Sequence, residues 1–222
     1  MKFGRLIATL MFTIFILTAG NCQATMPRSE MFLGGLTVDS PLSELKKIYG
    51  EPQEIYSGAE GNRAGTYGNN VLIVYNINMY NISRSNVESI HIMANNGWKT
   101  PAGISVGTNI SKVFDLYGQP DYIKSNSTKT VCVYYPNDFV EYRGKMVPDF
   151  GLFIKYNNDS KKISEMYLAW GFNGMYGFDE RYPDAVYDIA ERMLKTDNPI
   201  EDFIKRQAER DENTDWVTGK IQ

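Results

Sequence analysis

One histidine, His91, and two cysteines, Cys22 and Cys132, are all the imidazole and thiol groups in the 222 residues. A structural or catalytic zinc ion needs three or four nitrogen, sulfur or carboxylate ligands, usually led by His and Cys, so no zinc site is expected. Should the N-terminal segment carrying Cys22 be removed, Cys132 stands alone and cannot close an internal disulfide. It lies in the alternating apolar run "TVCVYY", which reads as a buried small hydrophobe rather than a reactive thiol. A basic excess is also missing. The formal charge is −3, which leaves no electrostatic footprint for nucleic acid and no polybasic patch for an anionic membrane surface.

Gly-rich nucleotide loops are absent, and so is the spacing of an EF-hand. The oxygen cluster Asn157-Asn158-Asp159 is ordinary turn chemistry. The acidic pairs Asp179/Glu180 and Asp211/Glu212 are consecutive in sequence. Neighbouring side chains point apart, so these suit solvated surfaces better than paired acid–base work. His91 sits mid-strand in "SIHIM" and reads as a packed or surface residue. These absences point to a protein that is not an enzyme, with no catalytic residue, no cofactor and no metal ligand.

Long apolar runs are scarce too. One apolar stretch without a charge, Leu6–Ala19, spans about 21 Å as a helix, short of a hydrocarbon core of about 30 Å. Lys2 and Arg5 precede it, and the small residues Cys22 and Ala24 follow. That is the build of a secretory signal peptide over residues 1–24, cut after Ala24. The expected location is therefore secreted, periplasmic or in the cell envelope, without a transmembrane span after cleavage. A lipid anchor on Cys22 is the alternative, although Asn21 occupies the position where such a site wants a small residue.

What is present is a sentence written twice. Gly35–Pro52 aligns without a gap on Gly103–Pro120, 68 residues later. The identities are Gly35/Gly103, Val38/Val106, Ser43/Ser111, Tyr49/Tyr117, Gly50/Gly118 and Pro52/Pro120. Apolar residues recur at Ile110, Val113, Phe114 and Tyr117, one face of a helix. Ser40 and Thr108 stand as N-caps, Gly50 and Gly118 as helix stops, and Pro52 and Pro120 forbid continuation. Short alternating runs after each helix predict antiparallel strands, with an extra stretch near "YPNDFVEYRGKMVPD" in the second copy. The fold class expected is α+β: two tandem modules, each a short helix packed on an antiparallel β-sheet, followed by C-terminal helices. The modules run over residues 25–96 and 97–178, and the helical segment with its polar tail over 179–222.

The phrase from Ile104 to Asp121, with Gly107-Thr108, Ser111, Tyr117-Gly118 and Pro120 at fixed spacing, resembles a signature of exported repeat modules of the β-lactamase-inhibitor-protein type. It is also similar to the small outer-membrane assembly lipoproteins. The resemblance implies a helix laid on a curved antiparallel sheet and used to grip another protein. It carries over no inhibitory residue, because the matching positions are structural.

Aromatic residues are in surplus, with 15 tyrosines. Tyr134, Tyr135, Tyr142, Tyr167, Trp170, Phe172 and Tyr176 crowd the second sheet and the loop after it. Strand neighbours point to opposite faces, so Tyr134 and Tyr135 cannot both lie under one helix layer. Either the second face is an exposed aromatic surface for a partner, or the C-terminal helices cover it. The function expected is an exported, non-enzymatic protein-binding or inhibitor-like module, its partner another exported or envelope protein, its oligomeric state open. An envelope scaffold anchored by lipid, or a hydrolase at the module junction, are the alternatives. A cluster of perturbed polar groups around His91 would favour the hydrolase.

Overall fold

A computed structural model describes residues 26–57, 62–77, 84–136, 139–142, 145–148, 150–170, 185–202, 204–205, 214–215 and 220–221. The predicted signal peptide with Cys22, and the loop holding Phe172 and Tyr176, lie outside the described residues. Among the described residues no helix is long and apolar enough to cross a membrane.

The two aligned stretches each form an eight-residue helix, α1 (Leu42–Tyr49) and α2 (Ile110–Tyr117). Each buries the apolar face its periodicity requires, Leu42 and Leu45 in α1 and Ile110, Val113 and Tyr117 in α2. The predicted caps are corrected. Ser40 and Thr108 instead close the turn before the helix: the Thr37 N–H donates to Ser40 Oγ at 2.9 Å. The Ser105 N–H donates to Thr108 Oγ1 at 3.2 Å. A hydroxyl engaged by that backward bond is not available to the helix. The cap of α2 is Asn109, whose side chain accepts from the Ser111 N–H at 3.0 Å. Within each turn the chain passes through positive φ, at 66° for Asp39 and 91° for Gly107.

Both turns are stitched to a strand start by a pair of backbone bonds. Asp39 N–H donates to Val87 O and Val87 N–H to Ser40 O, each at 2.8 Å. Gly107 N–H donates to Ile163 O at 2.8 Å and Ile163 N–H to Thr108 O at 2.9 Å. The strands so anchored are β4 (Asn86–Ile92) and β10 (Ile163–Trp170).

They pair with each other at the centre of one antiparallel sheet. On one side stand β1 (Glu54–Ser57), β2 (Asn62–Tyr67) and β3 (Val71–Asn76). On the other stand β5 (Tyr122–Ser125), β6 (Lys129–Tyr134) and β9 (Phe150–Asn157). The order is β1-β2-β3-β4-β10-β9-β6-β5. Thus the strands form a single eight-stranded open sheet rather than two separate ones. The extra stretch folds as a hairpin of its own, β7 (Phe139–Tyr142) with β8 (Lys145–Pro148), set off between β6 and β9. At the tail, Thr214–Asp215 pairs with Lys220–Ile221.

Alternation along the strands divides the sheet into two faces. Val71, Ile73, Ile90, Ile92, Leu152 and Met166 join α1, α2 and the N-terminal residues Met31, Leu33 and Leu36 in the main core. Val131, Val133 and Phe153 face the other way, under a third helix, α3 (Ala185–Lys195), which contributes Ala190, Met193 and Leu194. The second face over β6 and β9 is therefore a helix-covered core.

The register of β3 on β4 slips between Val74/Ser89 and Tyr75/Val87, which leaves Glu88 as the extra residue of a bulge. Its side chain is buried, at 9% exposure. Burial, and then the neighbouring Asp39 charge, push its carboxyl up to about 8. A carboxyl raised above its ordinary 4.5 holds its proton more tightly in the folded state. It therefore costs no stability at low pH and progressively more as pH rises toward about 8. Glu88→Gln is expected to raise the melting temperature at about pH 8.5 and leave it unchanged at about pH 4.5. Equal shifts at both values in thermal melts would contradict the assignment.

Candidate functional site

The structure distributes the predicted aromatic surface over several places. Tyr134 is fully buried in the main core. Its hydroxyl donates to Gly118 O at 3.1 Å and its ring meets Tyr117 edge-on. Tyr134 is thus corrected from surface to core, because its position in β6 points it at α2. Tyr135 and Tyr167 are half-buried against the cluster beneath α3. They too belong to packing, since α3 covers the face on which they stand. Tyr142 lies in β7 and Trp170 ends β10, and these two are placed by backbone alone. Phe172 and Tyr176 lie outside the described residues.

A polar cluster does surround His91, and its other members went unread in the sequence. His91 Nε2 lies 3.0 Å from Glu165 Oε2. The other carboxylate oxygen, Oε1, is paired with Lys155 Nζ. Cross-strand register explains the meeting, because Glu165 of β10 sits opposite Lys155 of β9, and Tyr167 opposite His91. The Lys155 ammonium also donates to Met193 O at 2.9 Å and Thr196 O at 3.1 Å, the last carbonyls of α3 and of the residue after it. A cation there satisfies carbonyls that a helix end leaves unpaired and complements the negative end of its dipole. Burial alone would raise the Glu165 carboxyl. The hydrogen bond and charge of His91, with the charge of Lys155, outweigh it and hold the group below the usual carboxylate range. The signal was available in sequence: "FGLFIKYN" and "ISEMYLAW" each place one charge, of opposite sign, inside an apolar run.

Beside this cluster is a cavity of about 40 Å³ lined by Ser89, His91, Tyr167, Arg192 and Asp202 among others. That volume suits a water or two. The Tyr167 ring lies 4.7 Å from the His91 ring, Glu165 faces a lysine, and Lys155 faces carbonyls. The cluster fastens α3 to the sheet.

A larger concavity lies elsewhere, where the N-terminal loop meets the linker between the two halves. It measures about 550 Å³ and is lined by Phe32, Gly34, Tyr49, Asn96, Trp98 and Lys99 among others. The Tyr49 and Trp98 rings stack with centroids 4.2 Å apart and 20° between planes. The Tyr49 hydroxyl donates to Gly34 O. Gly34 has φ 61°, and a Cβ there would stand 2.3 Å from Trp98 Cε3 and 2.6 Å from the Tyr49 hydroxyl. Only glycine allows the loop to lie on the stacked pair at this conformation. Trp98 is itself buried, at 9% exposure, and Tyr49 is half-buried, so the pair forms the base of a shallow concavity with a polar and backbone rim.

The other predicted polar groups serve turns. Asn157 Oδ1 accepts from the Asp159 and Ser160 N–H groups, each at 2.9 Å. Cys132 is fully buried, and burial pushes its thiol up to about 12.

No family model matches the sequence, and no curated protein matches it. Among solved structures, a cysteine-rich secretory protein from Staphylococcus aureus is similar over 69% of this chain and 48% of its own, with 13% identity and a TM-score of 0.42. An extracellular protein containing an SCP domain from Bacillus anthracis is similar over 68% of this chain and 47% of its own, with 12% identity and a TM-score of 0.37. The chain spans about half the length of each, and neither score establishes a shared fold. These neighbours are neither inhibitor-type modules nor outer-membrane assembly lipoproteins, and the resemblance drawn from Ile104–Asp121 is corrected accordingly. That phrase encodes a turn, a short helix and its stop, which is local punctuation and specifies no family.

Proposed function

We propose that this is an exported, non-enzymatic binding protein that holds an apolar or aromatic side chain of a protein partner in the groove floored by Tyr49 and Trp98. The observation that carries the reading is that stacked pair at the base of the concavity, against which the loop packs through a glycine at positive φ. Large, rigid aromatic surfaces with a polar rim are the usual anchors of protein recognition. Export rests on the N-terminal pattern of Lys2, Arg5 and the short apolar run. The structural likenesses do not enter it. In the same reading the two halves are copies of one unit, each a turn, an eight-residue helix and four strands, fused into a common sheet. A hydrolytic role at His91 has less support. The histidine is buried and bound to a carboxylate already engaged by lysine, and the adjoining cavity suits a water or two.

Selection from a displayed random-peptide library tests the proposal. The protein is expected to enrich peptides sharing an aromatic or large aliphatic anchor. Their affinity should fall at least tenfold in Phe32→Ala, a groove-lining residue outside the main core cluster, and be unaffected by His91→Ala. Circular dichroism melts verify that both variants fold. Enriched peptides that bind Phe32→Ala as well as the parent protein would overturn the groove assignment, and so would the absence of any enrichment.

A further inference from the structure

Among the described residues the sheet is open, and its two ends complement each other. The edge strands are β1 and β5. Each is four residues long, "EIYS" and "YIKS". Each presents one bare isoleucine, Ile55 at 58% exposure and Ile123 at 48%. All strand pairs in the sheet are antiparallel. With eight strands in alternation, β1 and β5 therefore run in opposite directions. A second copy displaced along the sheet would thus bring its β1 antiparallel to the first copy's β5, with like faces aligned.

One register satisfies charge, shape and hydrogen bonding together. It sets Glu54 opposite Lys124, Ile55 opposite Ile123 and Tyr56 opposite Tyr122. Ile123 pairs with Cys132 of the main-core face, whereas Tyr122 and Lys124 pair with Val133 and Val131 of the α3 face. On β1, Tyr56 pairs with Ala64, a member of a small cluster with Leu72 on the opposite face from the main core, and Glu54 shares its side. Ile55 therefore shares a face with Ile123, and Glu54 with Lys124. The backbone phase fits as well. Asn126 N–H donates to Lys129 O at 2.9 Å. Alternation in an antiparallel ladder then turns Ile123 and Ser125 outward from β6. The same lead-in bond precedes both edges, Gln53 N–H to Thr66 O and Asp121 N–H to Val133 O, so Ile55 faces outward in the same phase. The intrachain partners of the two charges are exposed and weak: Glu54 accepts from the Tyr56 hydroxyl, and Lys124 lies 3.8 Å from Glu191.

We propose that the protein associates with further copies of itself head to tail, β1 of one chain adding to β5 of the next, to extend a continuous antiparallel sheet. The contact is heterologous, so it grows an open chain instead of closing a dimer. The short strands make it weak and concentration-dependent.

Sedimentation velocity and light scattering over a concentration series test this. The parent protein is expected to show a mean mass that keeps rising beyond dimer. Glu54→Lys and Lys124→Glu should each be monomeric, and an equimolar mixture of these two variants should associate again. Both sites are at the surface, and circular dichroism verifies folding. A parent protein that stays monomeric at every concentration would overturn the proposal, as would a dimer that stops growing. Single variants that associate like the parent, or a mixture that stays monomeric, would do the same.

Discussion

Lys155→Met lowers the folding stability by about 3–5 kcal/mol, the range found when one partner of a buried ion pair is removed. The lysine is 1% exposed. Its loss leaves Glu165 buried with only His91 as a partner and strips the Met193 and Thr196 carbonyls of their donor. The melting temperature should fall by about 2–4 °C for each kcal/mol in a protein of this size, so on the order of 10 °C. The damage should be local first. Hydrogen exchange is expected to show α3 losing protection while the β3–β4 pair keeps it, because the lysine is what joins helix end to sheet. Lys155→Met combined with Glu165→Leu should recover most of the loss, since an apolar pair of similar volume often replaces a buried ion pair at little cost. A single variant within about 1 kcal/mol of the parent in denaturant unfolding would show that the network does not hold the helix. The Glu165 carboxyl adds a pH signature. Because it is held below its ordinary value in the folded protein, its contribution is present at neutral pH and is lost as pH falls through the folded-state value. That acid loss should shrink in the double variant.

The second large effect is at Gly118. Its φ of 73° and ψ of −158° fall where only glycine is at ease. The cost of Gly118→Val is therefore backbone strain, about 1–3 kcal/mol. A further penalty follows if the peptide rotates to relieve it, because Gly118 O accepts from the buried Tyr134 hydroxyl. An unpartnered buried hydroxyl costs about 1–3 kcal/mol more. Gly50→Val has the same strain, with φ 76° and ψ −151°. The expected order in thermal melts is parent, then Gly50→Val, then Gly118→Val, with the last at least 5 °C below the parent. An unchanged melting temperature for Gly118→Val would refute the conformational argument.

How far the sequence could be read depended on the range of the interaction. The helix faces, the strand "VESIHIM" and the stops at Gly50 and Gly118 are decided within a few residues, and each was legible. The caps were misread, because Ser40 and Thr108 have two possible partners and the tight turn claims their hydroxyls, leaving Pro41 and Asn109 at the cap positions. The eight-stranded sheet was not legible, because the pairing of β4 with β10 is decided by chain ends far apart in sequence. Nor was the fate of the second face, since the cover over Val131, Val133 and Phe153 comes from a helix that begins only at Ala185. The groove was hidden for the same reason. Tyr49 and Trp98 have ordinary sequence surroundings, and only folding brings Gly34 onto both.

The seam between β4 and β10 also fixes an order of events. A chain made from its N-terminus completes β1 to β4 long before residues 163–170 exist. For that interval the flank of β4 with Ile90 and Ile92 is an unpaired border, the kind that recruits stray strands. Loop closure across so many intervening residues is slow. The half-made molecule thus carries an open border until its own later strand arrives to seal the gap.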